Sequence, residues 1–108
     1  MSLSMIQFSY NSETVGKLIK NPEDRSKEVG KLIEKLGGKM LGFYYCYGDY
    51  DGVVIVDMPD HISGLATTMV SYAAGGTTKL KTTILITIDE AMKAMEKASS
   101  VKLAMPKD

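Results

Sequence analysis

Between Lys39 and Met58 two β-branched and aromatic runs, KMLGFYYCYG and GVVIVDM, stand on either side of Asp49-Tyr50-Asp51, with a glycine at each junction. Side chains of this kind suit a pleated, half-buried surface, and Asp-Gly supplies a tight reversal between two such runs. The pair reads as an antiparallel hairpin. A lone hairpin is marginal in water, so the rest of the chain must supply further strands or a packed helix.

It supplies both. Met5 to Tyr10 sets Ile6, Phe8 and Tyr10 against Met5, Gln7 and Ser9, the period of a strand with two unlike faces. The residues before Met5 read as an initiator region without functional signal. Beyond Asn11-Ser12, Val15, Leu18 and Ile19 form a short apolar-periodic piece. Asn21 as cap, Pro22 at the first helical position, Glu23 and Asp24 in the first turn and Gly37 at the stop then predict a helix, with Val29, Leu32, Ile33 and Leu36 on one face. Pro59 ends the hairpin, Asp60 caps, and Ile62, Leu65, Met69, Tyr72 and Ala73 recur at helical spacing as far as Gly75-Gly76. Thr77 to Thr87 alternates again, and Thr87 with Glu90 offers a capping box for a terminal helix through about Ala98.

The order β-α-β-β-α-β plus a helix is the split βαβ arrangement, an α+β fold with a four-stranded antiparallel sheet and both main helices on one face. A chain of 108 residues makes one such domain, with its core over about residues 5–98. The other sheet face stays open. A face of Tyr, Phe, Val and Leu is more apolar surface than a soluble monomer leaves bare, so a homo-oligomer, a dimer or larger, closing over that face is expected.

Thirteen acidic side chains balance thirteen basic ones, so no net field draws the chain to nucleic acid or to anionic lipid. No apolar run is long enough to span a bilayer and no leader pattern is present, so neither a membrane nor a nucleic-acid partner is expected. One cysteine makes no internal disulfide, and the cytoplasm is the expected compartment.

Within the hairpin, LGGK, FYYCYG, Gly48-x-Tyr50-Asp51 and VVIVDMPD together make the chain resemble the GYD-domain proteins, over about Met5 to Glu90. The resemblance implies a ferredoxin-like domain similar to the dimeric α/β barrels, whose members include muconolactone isomerases and small cofactor-independent oxygenases. It implies no particular reaction and no catalytic residues.

Alternation divides the second strand into Phe43, Tyr45 and Tyr47 on one face and Tyr44 and Cys46 on the other. The three aromatics either line a cavity between sheet and partner or fill the interface. In the cavity reading Tyr45 and Tyr47 are walls, Gln7, Ser9 and Asp51 polar points, and Tyr50 a lid. Asp51 is also explained by turn chemistry alone, and His61, the only histidine, by its place at a helix start. These two are the candidate acid–base residues. An EF-hand beginning at Asp49 needs glycine and glutamate where Val54 and Asp60 stand, and one His with one Cys does not make a zinc site, so no metal is expected. No nucleotide or cofactor motif is present either; GGTTKLKTT lacks the end of a phosphate loop, and Lys79 and Lys81 suit an edge strand.

Two functional readings follow. One is an oligomeric small-molecule-binding domain, with any chemistry confined to cofactor-free proton transfer, isomerisation or oxygenation. The other is a non-catalytic interaction or sensor module whose oligomer is the working unit.

Overall fold

Directly paired residues on antiparallel strands share a face, so register alone sorts the side chains of a sheet. The computed structural model describes residues 2–107. Its elements are β1 (Ser2–Tyr10), α1 (Ser12–Lys20), α2 (Ser26–Lys35), β2 (Lys39–Tyr45), β3 (Gly52–Met58), α3 (His61–Ala73), β4 (Thr77–Leu85) and α4 (Ile88–Ala98). The sheet runs β2-β3-β1-β4, antiparallel throughout, which is the ferredoxin-like order the sequence predicts.

Ile6 lies opposite Val54 and Thr82, and Phe8 opposite Gly52 and Leu80. With Val56 and Met58 these side chains form the inner face, closed by fully buried Ile33 of α2. Gln7 lies opposite Val53 and Lys81, and Met5 opposite Ile55 and Thr83, on the open face. The hairpin register shifts between Met40 and Gly42, so that Met40 and Phe43 both pack against the core.

Three boundaries differ from expectation. β1 begins at Ser2, with Ser4 buried opposite Val56, so Ser2, Leu3 and Ser4 belong to the sheet. α2 begins at Ser26 rather than Pro22: Asn21 instead ends α1, and the Asp24 carboxylate accepts from Ser26 N at 2.9 Å. β2 stops at Tyr45, leaving Cys46 to Asp51 as the connecting loop. The terminal helix carries the expected capping box, Glu90 N donating to Thr87 Oγ1 at 3.1 Å and Thr87 N to Glu90 Oε1 at 3.2 Å.

The largest departure is the orientation of α3. Its apolar stripe faces outward, with Ile62 83% exposed and Leu65 and Met69 also exposed, while Thr67 is 4% exposed and turned inward. The inversion leaves no orphan donor, because Thr67 Oγ1 donates to Ser63 O at 3.0 Å and Ser71 Oγ to Thr67 O at 2.9 Å within the helix itself. α4 and the tail are likewise uncovered, with Ile88, Met92, Met95 and Leu103 exposed. The radius of gyration, 17.9 Å against about 13 Å for a compact chain of this size, goes with an elongated shape of 60 × 37 × 22 Å.

Ile33→Ala is expected to cost about 2–5 kcal/mol in urea denaturation, and Leu65→Ala no more than about 0.5 kcal/mol. Equal losses would mean that α3 packs with its stripe inward. Gly52→Ala, whose new Cβ would overlap the Phe8 ring, is expected to cost about 1–3 kcal/mol by the same measurement.

Candidate functional site

Because α3 turns Gly64, Thr67 and Ser71 toward the sheet, the space a row of large side chains would fill is left empty. A cavity of about 540 Å³ lies there, between α2, α3 and the inner face of the sheet. Ile6, Phe8, Phe43 and Leu80 line it from the sheet, Leu32 and Ile33 from α2, and Thr67 and Ser71 from α3. Thr77 also lines it, and its Oγ1 is shut away from solvent with no partner, which disfavours the fold.

One end of the cavity is aromatic, for a local reason. Tyr45 of β2, Gly52 of β3 and Phe8 of β1 stand in one row, and the missing side chain at Gly52 lets rings from the outer two strands meet over the middle one. Phe8 and Phe43 have centroids 5.7 Å apart, Phe8 and Tyr10 5.2 Å, and Phe43 and Tyr45 5.4 Å, the last two edge-on. The Tyr10 and Tyr45 hydroxyls are hydrogen-bonded at 3.1 Å. Tyr10 borders the main cavity, and both phenols border an adjoining recess that also takes in Leu18, Cys46 and Asp51.

Asp51 holds this corner together. Its backbone N donates to Phe8 O at 2.8 Å, its Oδ2 accepts from Tyr10 N at 2.9 Å, and its carbonyl accepts from Cys46 N at 2.8 Å. Burial is the main cause that pushes the Tyr10 phenol well above the usual tyrosine range, followed by the Tyr45 hydrogen bond and charge; the Asp51 charge adds to it and Arg25 opposes it. Four charged side chains, Lys17, Glu23, Arg25 and Glu28, border the cavity from the α1–α2 segment.

The residues singled out from the sequence do not all converge. Tyr45 and Asp51 reach the recess, but Gln7 and Ser9 alternate with Phe8 and lie on the open face. Tyr47 stands in the loop, fully exposed. Tyr50 lies beneath Lys79, whose Nζ is 4.3 Å from the ring centroid and donates to Asp49 O at 2.8 Å. His61 is exposed at the start of α3, nearly two turns before Thr67. Phe43 packs against the core and Tyr45 against Phe43 and Tyr10, so both stand on the helix side of the sheet, and this cavity lies within the protomer. Sequence reasoning missed Tyr10 as a site residue and the small-residue row Gly64, Thr67, Ser71 and Ala74, whose helical spacing was a readable signal. Among the described residues no cluster of three or more His, Cys, Asp or Glu is placed to hold a metal ion, and no helix is long and apolar enough to cross a membrane.

A phenol kept neutral by the fold contributes stability that is fully present below the unfolded value of about pH 10 and is lost as pH rises toward the folded value. Tyr10→Phe is therefore expected to lose less thermal stability than the parent between about pH 9 and 11; identical pH profiles would remove Tyr10 as the cause. Asp51→Ala, which strands the Tyr10 N–H, is expected to cost about 1–3 kcal/mol in urea, whereas Asp51→Asn, which keeps an acceptor, is expected to cost less.

No curated protein sequence matches the chain. Among solved structures it is similar to TTHA0845 from Thermus thermophilus, at 16% identity and a TM-score of 0.53 over 81% of this chain and 95% of that one. It is also similar to MtbAldR (Rv2779c), at 17% identity and a TM-score of 0.58 over 80% of this chain and 53% of that one, so it spans about half of that protein. At such identities the likeness is one of fold, and it agrees with the sheet order described above. The GYD domain profile matches residues 5–95, most of the chain. The chain belongs to the GYD-domain family.

Proposed function

We propose that this GYD-domain protein binds a small molecule in the cavity between α2, α3 and the sheet, and works as a homo-oligomer joined through the open sheet face. The cavity is the observation that carries the reading. Its volume of about 540 Å³ is within the usual range of ligand pockets, its walls are mainly hydrocarbon, and its polar groups lie at the Tyr10 end, on α3 and along the α1–α2 segment. The oligomer is supported by the open face itself, where Leu41 and Tyr44 are exposed beside Met5, Val53 and Ile55. Any reaction in this cavity would be proton chemistry without a cofactor, with Tyr10 as the donor and Asp51 holding it in place.

The outward stripe of α3 favours a second reading, in which assembly is the function and the cavity is a packing defect. Native mass spectrometry separates the two. On the first reading the protein is an oligomer that retains a small-molecule mass, and Ser71→Phe, which puts a ring into the cavity, weakens retention of that mass while keeping the assembly. A ligand-free oligomer that also takes up no added apolar dye supports the second reading, and a monomer overturns the open-face interface. Tyr44→Glu is expected to shift the assembly to smaller species.

A further inference from the structure

We infer that the ligand of this cavity is a neutral, largely hydrocarbon molecule bearing a carbonyl oxygen, with that oxygen placed at the Tyr10–Tyr45 hydroxyl pair. The inference rests on the proposed binding role of the cavity. Two phenols joined by one hydrogen bond use one O–H between them and leave the other unspent, whichever of the two donates. No protein acceptor takes that second proton among the hydrogen bonds of the described residues, and the pair stands where the cavity meets the recess. A carbonyl accepts the proton without bringing a donor of its own that would need a partner inside an apolar wall.

Charge neutrality of the ligand follows from the mouth. Lys17 is paired with Glu13 at 3.3 Å, Arg25 with Glu23 at 3.3 Å and Glu28 with Lys31 at 3.4 Å in exposed ion pairs, and the charge beside the two phenols is the Asp51 carboxylate of the recess. Among the described residues no unpaired cation stands at this mouth for a carboxylate or a phosphate, and the Asp51 carboxylate is engaged by Tyr10 N at 2.9 Å. The remaining wall, with Phe8 and Phe43 tilted toward one another, offers contact to a ring system and nothing that would repay the desolvation of a charge.

The test uses three probes of similar size: tetralin, 1-tetralone, which adds only the carbonyl, and 1-naphthoate, which carries a charge. Dissociation constants are measured by calorimetry on the full chain and on the Tyr10→Phe/Tyr45→Phe double variant, which keeps both rings. The preference for tetralone over tetralin is expected to fall about 3- to 10-fold in the double variant, with tetralin binding unchanged. An unchanged preference with all probes still bound would overturn the carbonyl assignment and leave the cavity reading standing. Naphthoate binding more tightly than tetralone would overturn the neutral class. If no probe binds the parent protein, and Ser71→Phe behaves identically, the cavity reading itself fails and takes this inference with it.

Discussion

The ring of Phe8 lying over Gly52 is the contact on which the rest of the structure depends. It fills the place of a side chain on the middle of three strands, and so lets β1 and β2, which are not hydrogen-bonded to each other, share an aromatic cluster. Tyr10 and Tyr45 meet because of that bridge, and Asp51 fixes the same corner through the backbone of Phe8 and Tyr10. The glycine is thus explained by close approach of a ring, with no need of unusual backbone angles.

The cavity has an equally local origin. A helix that buries leucines against a sheet fills the layer between them, whereas α3 buries Thr67, half-buries Gly64 and Ser71, and satisfies the Thr67 and Ser71 hydroxyls on its own backbone. The stability forgone is the hydrophobic burial that Ile62, Leu65, Met69 and Tyr72 would have provided, roughly 1.5–3 kcal/mol for each large side chain fully buried. A fold gives up that much at one place when the space is used, or when the displaced apolar stripe is buried against another chain. Both explanations are compatible, since the cavity faces inward and the stripe faces outward on the same helix.

Much of the architecture was legible because it is written in local chemistry. The alternation of Ile6, Phe8 and Tyr10, the Asp-Gly reversal, Pro59 followed by Asp60, and the Thr87–Glu90 capping box each act within a few residues, and each element formed where those signals lie. The start of α2 was not legible, because Asn21 and Pro22 are good helix openers that the chain spends on ending α1 and turning the corner. The site was legible in part. The aromatic richness of β2 and the polarity of Asp51 were visible, but Gln7 and Ser9 fall on the opposite side of the sheet from the residues they would have joined.

The sequence by itself determined which residues share a face, because periods of 2 and 3.6 are fixed by backbone geometry. It determined the order of elements and hence the sheet. What only the tertiary structure decided is which of two faces points inward. Phe43 and Tyr45 could equally have met a partner, and the stripe on α3 could equally have met the sheet, because periodicity sorts residues into sets without saying where each set goes. That choice was made by long-range pairing: the register of β1 against β3 turned Phe8 and Val54 toward the helices, and the space beneath α3 followed from it.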